Sequence, residues 1–341
     1  MATDVGGERV TLAEVAEEAG VSLSTISKVL NGRTDVAPGT RARVERLLHD
    51  RGYVRRGAGR SEAHADLIEL VFHELDPIWS MELIDGVESV AKANGLSVVL
   101  TVSGSRHAPD PDWIEGVIRR RPVGVILVFS ELAPEYREQL RARAIPFVIV
   151  DPAGDPSPDV PSVGSANWSG GLAATRHLIE LGHRRIAAIT GPEDMMCSLA
   201  RLDGYRSAMN TAGLPIRDEW IRFGDFHTSG GRDRAREVLD GPERPTAIFA
   251  GSDMQALGVY QAARELGLEI PRDLSVVGYD DLPVAQWVGP TLTTVRQPLH
   301  QMAELAARLV LDLARGITPA ALRMDLAVEM RIRQSTAPPL V

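Results

Sequence analysis

Cysteine is almost missing from this chain: Cys197 is the single thiol among 341 residues. That excludes an internal disulfide and suits a reducing compartment. Long apolar runs are missing too, none reaching the ~18 residues that a membrane-spanning helix requires. The first 30 residues show no basic, apolar, small-residue order of a signal peptide, so the expected location is the cytoplasm, without membrane association. Catalytic signatures are also absent. There is no G-x-x-x-x-G-K-S/T phosphate loop, no G-x-G-x-x-G after a strand, no G-x-S-x-G and no H-E-x-x-H. His177 and His183 have no cysteine nearby, and Cys197 has no activating partner. Capping, surface or buried roles are expected for them, and the chain is expected to be a non-enzyme with neither cofactor nor metal.

What is present is ordinary globular material, 44% hydrophobic and 24% charged, in a length that allows two or three domains. The net charge of −9 argues at first against a nucleic-acid partner, but it is unevenly spread. Residues 1–60 hold ten Lys and Arg against eight acids, a small positive excess, and the acidity belongs to the remainder. Such segregation lets a small end approach phosphates while a large acidic body stays clear of them.

That small end carries TLAEVAEEAGVSLSTISKVLNG at residues 11–32. Leu12, Val15, Ala16 and Ala19 fall on one face of a short helix, and Thr11 with Glu14 forms a capping box. Gly20 stops that helix with a tight turn. Ser22 can cap a second helix that buries Ile26, Val29 and Leu30. Its other face is Leu23, Ser24, Thr25, Ser27 and Lys28. This is a helix-turn-helix pattern, whose second helix can lie in a DNA major groove; an ordinary helical hairpin is the alternative. A third helix is expected over 38–50, closing the small core with Val44, Leu47 and Leu48. Arg41, Arg43 and Arg46 face outward as a solvated face or as phosphate clamps.

AEVAEEAGVSLSTISKVLNG resembles the N-terminal signature of the LacI/GalR (lactose-repressor) family. The resemblance implies DNA binding through Ser22, Leu23, Ser24, Thr25, Lys28 and Asn31, with Arg41 beside them. In that family the following segment carries a proline and a short hinge helix whose leucine wedges into the minor groove. Here residues 54–66, VRRGAGRSEAHAD, contain neither, and Gly57 and Gly59 oppose a helix. Arg55, Arg56 and Arg60 are the expected replacements, entering a narrow minor groove by charge.

From residue 67 onward, apolar runs at 67–72, 96–102, 123–129, 147–150, 185–190, 246–250 and 274–279 alternate with helical patterns. Continuous β-branched runs between helices predict strands buried on both faces of a parallel sheet. The expected fold is α/β: an N-terminal helix-turn-helix domain, then a two-lobed, doubly wound, periplasmic-binding-protein-like core as the resemblance implies. The expected divisions are 1–53 for DNA, 54–66 as linker and 67–341 for effector binding and dimerisation.

Ligands bind such sheets at the carboxyl ends of the strands. Four of those ends lead to Asp151, to the helix bearing Arg201, to Asp253 and to Asp280. Carboxylates that accept from hydroxyls, with an arginine that donates, suit a polyol or sugar, although each aspartate could equally cap a helix. SLARLDGYRSA, SDMQALGVY and VVGYDD are similar to effector-domain signatures of the family, which implies that Arg201, Asp253 and Asp280 are effector contacts or their supports. Phe226 matches an aromatic that stacks on the ligand. Trp79, Trp168 and Trp287 are further candidates, with core roles the alternative. The reading is a dimeric repressor that binds a palindromic operator in double-stranded DNA and answers to a mono- or oligosaccharide. A purine or nucleoside effector, a controlling partner protein and a sugar-transport protein are the rivals.

Overall fold

A single glycine in the left-handed region, Gly20 at φ +61°, separates the first two helices. In the computed structural model they are α1 (Leu12–Ala19) and α2 (Leu23–Leu30), followed by α3 (Pro38–Asp50). The structure describes residues 12–30, 36–50, 64–104, 110–128, 132–151 and 159–340. Val15, Ala19, Ile26, Val29, Val36 and Val44 form one buried cluster, with Leu12, Leu47 and Leu48 packed against it. Full burial of a Val or Leu side chain contributes about 1.5–3 kcal/mol, and that is what holds helices too short to persist alone. The chain divides into two compact units, residues 1–65 with 133–145 and residues 66–132 with 146–341. The first also contains α6 (Pro134–Arg141).

The second unit is two sheets, each six-stranded among the described residues. One is built from β1 (Ala65–Phe72), β2 (Ser97–Val102), β3 (Pro122–Val128), β4 (Phe147–Val150), β5 (Ser162–Ser165) and β11 (Arg323–Leu326). The other is built from β6 (Ile186–Thr190), β7 (Ile221–Phe223), β8 (Ala247–Ala250), β9 (Ser275–Asp280), β10 (Thr293–Arg296) and β12 (Glu329–Arg331). Their orders are β11-β5-β4-β3-β1-β2 and β12-β10-β9-β8-β6-β7. Counted within each lobe, both run 6-5-4-3-1-2, the sixth strand parallel in the first sheet and antiparallel in the second, so both have their topological switch between the first and third strands. The two lobes therefore repeat one topology even though their sequences show no repeat. The end of the chain supplies one strand to each sheet: β11 joins the first beside β5, and β12 runs antiparallel to β10 in the second.

The helices are α4 (Trp79–Ala93), α5 (Asp112–Arg120) and α12 (Leu299–Ala314) in the first lobe. In the second they are α7 (Asn167–Glu180), α8 (Met196–Thr211), α9 (Thr228–Leu239), α10 (Asp253–Glu265) and α11 (Val284–Trp287). Although α12 comes late in the chain, its buried Met302, Ala303, Ala306 and Val310 join the first-lobe core. The chain thus passes between lobes at 165–167, again at 296–299, and a third time at 326–329. Close packing of α7 on α8 depends on Gly171 and Gly204: a Cβ on Gly171 would collide with the Arg201 carbonyl, and one on Gly204 with the Trp168 carbonyl.

Candidate functional sites

In the first unit the recognition face begins at the cap of α2. The Ser22 hydroxyl accepts from the Thr25 backbone N–H at 3.2 Å and lies 2.7 Å from the Ser24 hydroxyl. Because Ile26 and Val29 are drawn into the core, the opposite side of the helix faces out. Leu23 is 55% exposed there, with Ser24, Ser27 and Lys28 also exposed and Thr25 half-buried. Arg41 is half-buried on α3, while Arg43 and Arg46 are exposed. Asn31, Arg55, Arg56 and Arg60 lie outside the described residues, as do the Thr11 cap and most of the expected hinge.

In the second unit a cavity of about 630 Å³ opens between the two sheets. Much of its polar wall stands at the carboxyl ends of strands: Phe72 of β1 with His73 after it, Val128 of β3, Asp151 after β4, Asp225 and Phe226 after β7, Ser252 after β8 and Asp280 of β9, with Trp79 and Ser80 of α4 and Cys197 and Arg201 of α8 completing it. Three of these non-glycine residues have positive φ, Asp151 at 48°, Phe226 at 67° and Asp280 at 110°. Such conformations cost free energy and persist where the surroundings fix them, commonly at functional sites. Phe226 is held further by its carbonyl, which accepts from the Ser252 hydroxyl at 3.0 Å. Its ring lies against Gly191, where any side chain would strike it.

Arg201 is the hub of the wall. Its Nε donates to Asn167 Oδ1 at 2.8 Å, Nη1 to the Gly251 carbonyl at 2.6 Å and Nη2 to Gln297 Oε1 at 3.1 Å. Asp280 lies 3.8 Å away, and the guanidinium sits 3.7 Å from the Tyr279 ring centroid and 5.7 Å from that of Phe226. The side chain is 4% exposed, so these contacts act in a largely dry environment. Burial pushes the Asp280 carboxyl well above the usual aspartate range, with Arg201 opposing. Burial likewise raises Asp151, against the pull of Arg201 and a hydrogen bond from Asn167. Cys197, also in the wall, has its thiol pushed up to about 12 by burial, which leaves it protonated and inert.

The expected effector residues separate into those that reach the cavity and those that do not. Asp151, Arg201, Phe226, Asp280 and Trp79 line it. Asp253 does not. It is fully buried, accepting from the Thr294 hydroxyl at 2.5 Å and the Leu282 N–H at 2.7 Å. Burial raises it to about 7 despite those two bonds. It supports the backbone beneath Asp280, and the helix cap is its neighbour Ser252, which accepts from the Gln255 N–H at 3.1 Å. Trp287 is also corrected: at 73% exposed on α11 it stands outside the cavity. Trp168 lines a smaller recess of about 240 Å³ that shares Asp151 and Cys197 with the main one.

Sequence reasoning missed His73, Glu74, Asp76, Ser80, Asp225 and His227, all of which line the cavity. The signal for the first three was available, since they follow β1 as Asp151 follows β4. Asp76 Oδ1 accepts from the N–H groups of Ile78 and Trp79 at 2.9 and 2.7 Å, which fixes the start of α4 and brings Ser80 to the wall. Asp225 and His227 follow a three-residue strand, too short to register as an apolar run. His177 and His183 prove to bind the C-terminal tail: His177 Nε2 is 3.0 Å from the Thr336 hydroxyl, and His183 Nε2 is 2.9 Å from the Ala337 carbonyl.

Comparison with known proteins gives two family matches. Residues 11–56 match bacterial regulatory proteins of the lacI family, and residues 175–336 match the periplasmic binding protein-like domain. The HTH-type transcriptional regulator CelR of Thermobifida fusca is 35% identical over 338 residues, covering 96% of this chain and 98% of that protein. A solved CelR–cellobiose complex superposes with a TM-score of 0.71 at 34% identity, over 96% of this chain and 100% of that one. The lac repressor dimer bound to operator and the anti-inducer ONPF superposes with a TM-score of 0.70 at 26% identity, over 97% of this chain and 100% of that one. No helix among the described residues is long and apolar enough to cross a membrane.

Proposed function

Since this chain belongs to the lacI family of bacterial regulatory proteins, we propose that it is a sugar-responsive, dimeric, cytoplasmic repressor. In this reading residues 1–53 hold DNA, 54–66 link, and 67–341 bind the effector and dimerise. Leu23 and Ser24 read base edges while Lys28 and Arg41 contact the backbone, with Arg55 and Arg56 contributing from the linker. One helix-turn-helix covers too few base pairs for specificity, so two heads on a palindromic operator are required. The dimeric state of the lac repressor on its operator supports this.

The observation that carries the effector reading is the convergence of one dry guanidinium, the buried carboxyl of Asp280, the half-buried carboxyl of Asp151 and an aromatic ring on a single interlobe cavity. Carboxyls and a guanidinium satisfy the hydroxyls and ring oxygen of a sugar, and an aromatic ring packs on its apolar face. The cellobiose complex of CelR supports the same class. Ligand that binds one lobe arrangement better than another shifts the population between them, and with it the spacing of the two DNA heads.

A thermal-shift screen of mono- and oligosaccharides tests the effector class. A true effector at a hundred times its Kd adds about 2.7 kcal/mol of stability. The same sugar must change operator affinity in a fluorescence-anisotropy titration. A screen in which no sugar raises the melting temperature, or in which the sugars that do leave operator binding untouched, overturns the reading.

A further inference from the structure

A guanidinium carries five N–H groups, and Arg201 has three of them committed: Nε to Asn167, Nη1 to the Gly251 carbonyl and Nη2 to Gln297. Asp280, 3.8 Å from Nη1, stands beyond bonding distance. One N–H on each terminal nitrogen therefore remains for a ligand. Hydrogen bonds in the plane set how a guanidinium is turned but oppose its tilting only weakly, so what lies against its faces decides where the remaining groups aim. Against one face lies Tyr279, whose ring centroid is 3.7 Å from Arg201 Cζ, a close-packed separation. The Phe226 centroid is 5.7 Å away, too far to pack as closely.

Tyr279 is fixed in that place by its surroundings. It precedes Asp280 on β9 and is fully buried. Its ring packs on Phe249, with centroids 6.5 Å apart and planes tilted by 53°, in a core shared with Ala174 of α7 and Leu202 of α8. On the α7 side a Cβ at Gly170 would collide with the Tyr279 hydroxyl, so glycine there leaves room for the ring. The hydroxyl itself has no hydrogen-bond partner. A buried, unpaired hydroxyl costs free energy that phenylalanine would avoid, so the hydroxyl does not account for the residue. What it contributes is a π face under a cation.

We infer that Tyr279 is a positioning residue of the effector site: its ring holds the Arg201 guanidinium at one tilt and so aims the two remaining N–H groups at the ligand. Tyr279 lies behind the cavity wall rather than in it, and acts only through Arg201. Ring and guanidinium are both buried, where a cation–π contact is stronger than at a surface. An aliphatic side chain of similar bulk would fill the core without exerting that hold. The effect on affinity rests on the sugar reading of the cavity; the placement of the guanidinium does not.

Two measurements on the full chain test this, and the first needs no ligand. With arginine nitrogens isotopically labelled, the Arg201 Nε–H resonance, assigned by its loss in R201K, should be shifted upfield by the ring current of Tyr279. The shift should persist in Y279F and vanish in Y279L. The second is isothermal titration with cellobiose, maltose, lactose, glucose and galactose. Whichever sugar binds the wild type should bind Y279F within about twofold and Y279L about five- to thirtyfold more weakly. In the R201K background, which has no planar group to hold, Y279L should cost little further. If Y279L does not fold, Y279M takes its place, with the unliganded melting temperature as the check on both. A wild-type resonance at the ordinary arginine position, a Y279F that binds as weakly as Y279L, or a Y279L that binds as the wild type does overturns the positioning role. Failure of all five sugars to bind overturns the sugar reading and leaves the resonance shift to decide the role of Tyr279.

Discussion

Arg201 Nη2 donates to Gln297 Oε1 at 3.1 Å, and Gln297 lies where the chain passes from β10 of one lobe to α12 of the other. Its Nε donates to Asn167, which starts α7 just beyond the first passage between lobes. One guanidinium therefore joins the cavity wall to two of the three connections that any lobe movement must bend. Arg201→Ala should do two things at once. Loss of a buried, charge-assisted group should cut sugar affinity about ten- to a hundredfold, or 1.5–3 kcal/mol. Leaving Asp280 and the Gly251 carbonyl without their partner should also lower the melting temperature of the unliganded protein by several degrees. Operator affinity without ligand should stay near the wild-type value, because the recognition helix belongs to the other unit. Anisotropy of labelled operator with and without sugar, beside calorimetry, checks all three; a mutant that answers ligand as the wild type does removes Arg201 from the site.

The apolar strands were legible because each is a continuous run bounded by helix signals: β1, β3, β6, β8 and β9 are buried on both faces. β5, β10 and β11 were not, since Ser162, Ser165, Thr293, Thr294 and Arg323 carry no hydrophobic signal; neighbouring strands recruit them through backbone pairing. The site shows the same limit. The strand-end rule found Asp151 and Asp280, and it equally selected Asp253, whose carboxyl turns inward to Thr294. Sequence tells where the backbone leads after a strand, not to which side a carboxyl swings. His73 follows β1 and was within reach of the same rule, whereas Ser80, in the first turn of α4, reaches the cavity wall only through the way that helix starts.

Leu23 and Ser24 stand at the start of α2 with their side chains outward, Leu23 more than half exposed on an otherwise well-packed helix. Leucine can pack a thymine methyl and serine is a permissive reader. Replacing the pair should redirect operator preference, at about 1–3 kcal/mol per base pair affected. Selection from random DNA reads the outcome, and an unchanged preferred sequence rules out the assignment.

The linker lacks the leucine and proline of a wedging hinge helix, so its contribution is expected to be electrostatic. Replacing Arg55, Arg56 and Arg60 by Ala should lower the slope of log K against log salt by up to about 3 and weaken all sequences alike. An unchanged slope would make the segment a passive tether.

The C-terminal tail gives a pH prediction whose sign is fixed by burial. His183 is held between the Thr246 hydroxyl at 2.9 Å and the Ala337 carbonyl at 2.9 Å. Burial lowers its pKa below the ordinary histidine value of about 6.5, with the Ala337 carbonyl opposing; burial lowers His177 as well, with Glu180 opposing. A depressed histidine means that the folded state holds the neutral ring. Stability from the pair is therefore fully present above about pH 6.5 and is lost as pH falls and the unfolded chain takes up protons first. Asp253, raised to about 7 by burial, works in the other direction: the folded state binds its proton first, so its contribution grows as pH falls from about 7 toward the ordinary aspartate range. The melting curve of the whole protein mixes both signs. The difference between wild type and His183→Gln separates them. At pH 7.5 the variant should melt lower, because the tail loses its anchor at Ala337. Between pH 7.5 and 5 the gap should narrow, since the wild type alone pays for protonating that ring. A gap that stays constant with pH would show that His183 holds the tail without sensing protons.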